Sequence, residues 1–228
     1  MGSQLRILSA SLAGGGADAE AFAELVRRCE PDVVAVQELA PNQAEALARV
    51  LPYGELSPDL GHTGMGIALR CPGRLTRLPL YFRDAWVAQL ETADWPDLPR
   101  SIEILNVHIS APHGWPPWSQ TLRRHRQVGR LLTYTDAEPD QPRAVVGDFN
   151  ATPLWPVYRR IAARFDDLAS LHARARGTRP AATWPRWFGG PLIRIDHAFA
   201  SGLVAEGVEV VDLPGSDHCA LVLDVTVA

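Results

Sequence analysis

Apolar and polar positions alternate between strand-like and helix-like runs from one end of the chain to the other. Leu5–Ser9 alternates and is followed by Gly14-Gly15-Gly16, a strand and then a loop. Asp18–Arg28 has helical spacing, with Phe22, Leu25 and Val26 on one face, and Pro31 ends it. Asp32–Glu38 is an apolar strand ending in a carboxylate, and Pro41–Val50 is a second helix. Gly64–Leu69, Ala85–Leu90 and Ile102–His108 predict strands, with a Trp-Pro turn at 95–99 between the last two. Ser119–Thr133 is a helix carrying Arg123, Arg124, Arg126 and Arg130. Ala144–Val146 is a buried strand, and Gly147 frees the backbone after it. Val157–Phe165 predicts a helix, and Ile193–Phe199, Val208–Leu213 and Leu221–Val227 predict strands. Strands outnumber helices and gather at both ends of the chain, which favours an α+β fold over a doubly wound sheet.

Composition narrows this picture. The chain has 228 residues, 46% of them hydrophobic, enough for a sizeable core. No repeat, low-complexity segment or linker divides it, so one domain over residues 1–228 is expected. The net charge of −4 does not advertise a polyanion partner. Every basic side chain is arginine, so a cationic phosphate contact must come from a guanidinium. Cys29, Cys71 and Cys219 are scattered and form no CxxC, which suggests neither a disulfide framework nor a zinc site. No apolar run reaches the roughly 18–20 residues of a membrane span. The segment from Ile7 to Ala19 is broken by serines and glycines, so it reads as strand and turn rather than a secretion signal. A cytoplasmic monomer is expected.

The chemistry gathers at the predicted strand ends. Glu38, His108, the pair Asp148 and Asn150, and the pair Asp217 and His218 each stand at such an end, and Asp196 lies within a further strand. Asp148 and Asn150, two apart, point the same way. Carboxylates are hard oxygen ligands suited to Mg²⁺ or Mn²⁺, which need only one or two of them beside water and substrate phosphate. A histidine beside an aspartate can act as a base oriented by that carboxylate. Any one such residue is more often a solvated strand end or a helix cap; their joint occurrence points to one site. His62, His113, His125, His172 and His197 receive no role.

Five segments carry a family resemblance: Val36-Gln37-Glu38, Asn106-Val107-His108, Gly147-Asp148-Phe149-Asn150, Arg194-Ile195-Asp196 and Ser216-Asp217-His218. In type and order the chain resembles the endonuclease/exonuclease/phosphatase superfamily, the DNase I-like metal-dependent phosphoesterases. The resemblance implies a four-layer α/β sandwich, two packed, mainly antiparallel β-sheets flanked by helices, with the site at one end. It implies Mg²⁺ (or Mn²⁺) on Glu38, with Asp217 at or near the metal. His218 would be the general base, oriented by Asp196. Asp148 and Asn150 would position nucleophile and phosphate, and His108 would hydrogen-bond a phosphate oxygen. The reaction would be in-line attack of water on a phosphoester.

Two positions depart from the pattern. Ser11 stands where the family usually has an asparagine that supports the metal, and Ala13 where many nuclease members have an aspartate. A weaker cation site, or a water in place of the missing ligand, is implied. His108 replaces the tyrosine of the abasic-site endonucleases, and His108–Pro112 looks more like the branches of DNase I, sphingomyelinases and inositol-phosphate phosphatases. The expected partner is a small-molecule or lipid-like phosphoester. Nucleic acid is the alternative, and a non-catalytic binding module that keeps the fold is a third reading. Two aromatic-proline loops, His113–Trp118 and Thr183–Phe188, adjoin His108 and Asp196 in sequence and are candidate site walls. Arg123, Arg126 and Arg130 share a helix face, a solvated surface or a phosphate contact.

Overall fold

The structure is a computed structural model that describes residues 4–113, 115–186 and 189–228. Two six-stranded sheets pack face to face. The first contains β1 (Gln4–Ser11), β2 (Val33–Gln37), β3 (Tyr53–Ser57), β4 (Met65–Leu69), β11 (Leu203–Val211) and β12 (Ala220–Val227), in the order β11-β12-β1-β2-β4-β3. The second contains β5 (Arg74–Pro79), β6 (Asp84–Leu90), β7 (Ile102–His108), β8 (Arg143–Asp148), β9 (Asp166–Asp167) and β10 (Asp196–Ser201), in the order β5-β6-β7-β8-β10-β9. Each sheet has one parallel pair at its centre, β1 with β2 and β7 with β8; the other pairings are antiparallel.

A parallel pair needs a crossover, and here each crossover is a helix. Helix α1 (Ala19–Cys29) links β1 to β2, and α3 (Pro117–Asp136) links β7 to β8. Asp18 starts α1 by accepting a hydrogen bond from the Ala21 amide, and Glu30 ends it in a left-handed conformation. Helix α2 (Pro41–Ala48) packs beside α1, and α4 (Pro156–Ala162) beside α3.

The central strands read as unbroken apolar runs because both of their faces are covered. Leu5, Ile7, Val33 and Ala35 meet Trp86, Ile104, Val146 and Ala198 between the sheets. Leu8, Ala10, Val34 and Val36 face the other way, onto Phe22, Leu25, Val26 and Leu47. Leu105, Val107 and Val145 pack on Val128, Leu131 and Ile161. Helix, sheet, sheet, helix is the resulting four-layer order.

The topology also places the site. Both parallel pairs run the same way out of their sheets, and the chain leaves β1, β2, β7 and β8 at Ser11, Gln37, His108 and Asp148. Asp196 opens β10 opposite Asp148, and His218 lies just before β12, which pairs antiparallel with β1. Every sequence-predicted site residue thus falls at one end of the sandwich.

Four elements, β3, β5, β9 and α5 (Leu168–Ala175), lie outside the sequence expectation. β3 and β5 are sheet edges with mostly exposed residues, so they lack an apolar face. Helix α5 (Leu168–Ala175) is short, and α4 ends three residues before the expected Phe165. β10 starts at Asp196 rather than Ile193, and β11 starts at Leu203 rather than Val208.

Asp167 caps α5 through the Ser170 amide and forms a two-pronged ion pair with buried Arg194, at 2.9 and 2.7 Å. Burial alone would raise the Asp167 carboxyl; the Arg194 hydrogen bonds and charge override it and hold it at about 2. Its folded value lies below the unfolded one, so this stabilisation is present above about pH 4 and is lost as pH falls toward 2. His197, buried against Phe149 and Tyr158, is pushed down to about 4 by burial. The unfolded chain therefore takes up a proton at this histidine first, and stability falls from about pH 6.5 to about 4. Asp167→Asn is expected to lower stability near neutral pH by about 3–5 kcal/mol, because it leaves Arg194 buried without its counter-charge. The deficit relative to the parent should shrink toward pH 2. Urea unfolding at several pH values checks this; an equal deficit at all of them would refute the assignment.

Candidate active site

The site is built from one row on each sheet. On the second sheet His108 pairs with Asp148, and Asp148 with Asp196, so three polar side chains stand side by side where β7, β8 and β10 meet. On the first sheet Ser11 pairs with Gln37, and Glu38 is the next residue along. Glu38 has φ +54°, an uncommon conformation for a residue with a Cβ and a sign that the fold imposes its placement.

A buried amide pair sits between the rows. Gln37 Nε2 donates to Asn106 Oδ1 at 2.6 Å, while Asn106 Nδ2 donates to the carbonyls of Val36 and Gly66, each at 2.8 Å. The Gln of Gln37-Glu38 and the Asn of Asn106-Val107-His108 thus brace the two sheets directly behind Glu38 and His108.

His218 is held from two sides. Its backbone amide donates to Ser216 Oγ at 3.0 Å, and that hydroxyl donates to the Ser11 carbonyl at 2.7 Å, tying the turn to the end of β1. Its Nδ1 donates to Asp196 Oδ2 at 2.9 Å and Oδ1 at 3.1 Å. In the neutral ring, with the proton kept on Nδ1 by Asp196, Nε2 carries the lone pair. Burial opposes the charged ring, but the charge and hydrogen bond of Asp196, with Asp148 and Asp217 adding, hold His218 up to about 10.

Asp148 accepts from the Asn150 amide and from Asn150 Nδ2, both at 2.7 Å. Asn150 makes this loop possible at φ +49°, a left-handed conformation that asparagine tolerates. Burial, and then Asp196, push the Asp148 carboxyl up to about 7. His108 is fully enclosed, and burial with the neighbouring Arg83 cation holds it well below the usual imidazole range.

Glu38 Oε2 accepts from His62 Nδ1 at 2.8 Å, and Asp217 Oδ2 accepts from the Trp184 indole at 2.9 Å. One cavity of about 850 Å³ takes in Glu38, His108, Asp148, Asn150, Asp217 and His218. Asp196 lies behind His218. The structure therefore brings together all of the residues singled out from the sequence.

The donor set fits a cation of the Mg²⁺ kind. Among the described residues no three His, Cys, Asp or Glu side chains converge as a ready-made ligand set. Mg²⁺ needs one or two carboxylates and completes its shell with water and phosphate oxygens. Asp148 resists ionisation and His218 retains its proton, both of which a cation beside Glu38 would relieve. Ser11 Oγ is buried without a hydrogen-bond partner, so the position of the family asparagine offers an unused oxygen at the site's edge.

Sequence reasoning misses four contributors. His62, with no role from the sequence, holds Glu38. Arg83 donates to His108 and lines the cavity. Arg124 is buried and donates to the carbonyls of Ser110 and Asn150. Its guanidinium lies 5.1 Å from the ring of Trp155, the fourth, which is a cavity wall. None of the four lies in a motif; only the fold brings them near. Arg123 and Arg126 stack on Phe82 and Tyr81 instead of reaching the cavity. The two aromatic-proline loops part company. Trp184 and His113 line the cavity, whereas Trp115 and Trp118 are exposed away from its lining, and Gly114, Trp187 and Phe188 lie outside the described residues.

The sequence profile of the Endonuclease/Exonuclease/phosphatase family matches residues 7–218. The chain belongs to this family. Solved structures agree on the fold. The human Nocturnin catalytic domain with bound sulfate superposes with a TM-score of 0.74 at 19% identity, covering 100% of this chain and 96% of that one. Humanized D. rerio TDP2 gives 0.74 at 18%, covering 98% and 99%. A mannosyl-6-phosphatase of Bacteroides thetaiotaomicron gives 0.72 at 14%, covering 97% and 99%. No curated protein matches the sequence. Members of this family are hydrolases of phosphoesters, and among the described residues no helix of this one is long and apolar enough to cross a membrane.

Proposed function

We propose that this family member is a Mg²⁺- or Mn²⁺-dependent phosphoesterase acting on a small or lipid-like phosphoester. The observation that carries the reading is the His218–Asp196 pair, whose histidine shares a cavity with Asp148, Asn150, His108 and Glu38. Asp196 fixes the His218 tautomer, and in its neutral form His218 takes a proton from the attacking water at Nε2. Asp148, itself held by Asn150, orients that water. His108 donates to a phosphate oxygen as negative charge grows there. Glu38, with Asp217 lining the same cavity, would hold the cation, which would supply electrostatic stabilisation of the phosphate oxygens.

The cavity walls support the substrate class. Trp155, Trp184, Ile193, Ile195 and Pro112 give an apolar side, suited to the organic group of the ester. A nucleobase would also stack there, which keeps a nuclease as the second reading. The net charge of −4 favours the small ester over a long polyanion.

A panel tests this: a chromogenic diester, a monoester, plasmid DNA and a phospholipid vesicle, each with Mg²⁺, Mn²⁺ or EDTA. The expected result is turnover of a small ester or the phospholipid that EDTA abolishes. Cleavage of plasmid alone would select the nuclease, and no metal-dependent turnover of any substrate would reject both.

A further inference from the structure

The two histidines of the site have opposite partners on the same ring nitrogen. His218 Nδ1 meets a carboxylate, Asp196. His108 Nδ1 meets a guanidinium, with Arg83 Nη1 at 2.7 Å. Arginine has donors and no acceptor, so it can meet Nδ1 only if that atom presents a lone pair. The proton of the neutral His108 ring is therefore on Nε2, the atom facing Asp148 Oδ2 at 3.5 Å and Glu38 Oε1 at 3.8 Å. Both carboxylates favour a hydrogen there, and neither is close enough for a good hydrogen bond. Arg83 is itself fixed, since Nη1 also donates to the His62 carbonyl at 2.7 Å.

We propose that Arg83 is a positioning residue that fixes His108 as a neutral Nε2–H donor toward a phosphate oxygen, so that His108 does not serve as a general acid for the leaving group. This rests on the phosphoesterase reading. A carboxylate at Nδ1 would help the ring carry a second proton; a guanidinium at 2.7 Å opposes it. The step balances without an acid. Water adds its hydroxyl to phosphorus, His218 in its neutral form takes the other proton at Nε2, and the ester P–O bond breaks. The alkoxide leaves with the bonding pair and is protonated by solvent. Activity should then depend steeply on how well the departing oxygen carries charge.

The first test reads the ring directly. Protein labelled with ¹⁵N-histidine, with the His108 signals assigned by His108→Gln, is expected to show a protonated Nε2 and an unprotonated Nδ1 near neutral pH. Arg83→Lys, also a pure donor, should keep that pattern, and Arg83→Glu should move the proton to Nδ1. A parent spectrum with Nδ1 protonated would overturn the proposal even if Arg83→Glu fails to fold.

The second test uses aryl phosphodiesters running from nitrophenyl to phenyl leaving groups. The parent's kcat/KM should fall by about 10²-fold or more across the series, because no positioned acid offsets the poorer leaving group. His108→Gln, whose amide still donates, should keep at least about tenfold more kcat than His108→Ala. A flat series, or equal loss in the two variants, would refute the donor role. If no ester is hydrolysed by the parent, the phosphoesterase reading fails, while the spectrum still decides whether Arg83 sets the tautomer.

Discussion

His218→Ala is expected to lower kcat by about 10³–10⁴-fold, with KM changed far less. In the proposed mechanism the neutral ring presents a lone pair to the cavity with a carboxylate behind it, so its removal would take away both the base and the path of the proton. Asp196→Asn should cost a comparable amount for a different reason. An amide can donate to Nδ1, which would put the imidazole proton on Nε2 and turn the base around. Because the two act as a unit, the double variant should be little worse than either single one. Steady-state kinetics on all three, with thermal unfolding as a check on folding, decides it. Losses that multiply, or a His218→Ala enzyme within about tenfold of the parent, would mean that the water is activated elsewhere.

Gly147→Ala carries the largest expected effect on stability. Gly147 has φ +139°, and a Cβ built there would lie 2.0 Å from the Val107 carbonyl oxygen. That oxygen belongs to the neighbouring parallel strand, so relief requires the backbones of β7 and β8 to move apart. The cost should reach about 4 kcal/mol or more, from a steric clash and a strained backbone acting together. Gly177 is the control. It too is left-handed, at φ +66°, but a Cβ there meets nothing within 4 Å. Gly177→Ala should cost only about 1 kcal/mol, the conformational part alone. Urea unfolding of the pair separates clash from strain, and equal midpoints would show that the strands yield freely.

Much of the fold and site is legible in the chain because the central strands end in chemistry. Ala144-Val145-Val146 could only be a buried strand, and the residues after it had to emerge at an end of the sheet. The same logic places Glu38, His108 and His218. It stops where pattern is absent. β5 carries arginine, threonine and proline with one face in solvent, so its residues show no period, and the turn holding Arg83 beyond it could not be placed. His62 lies in a loop whose glycines and polar residues read as connection only. Arg124 looks like one more solvated helix arginine. Its burial depends on where α3 crosses the ends of β7 and β8, a tertiary fact that no local period encodes.

The Gln37–Asn106 contact carries a consequence beyond holding the sheets. Apolar faces slide over one another with little directional resistance, so a purely greasy seam would let the two halves settle at several offsets. Asn106 uses its carbonyl once and its amide twice, against atoms of three different residues. Only one offset satisfies all of them. The seam is therefore indexed, like a keyed shaft, a step away from the residues that must agree across it. Loops at the rim are thereby released from setting the catalytic distances, and the cavity walls are free to change their substrate without disturbing the machinery beneath.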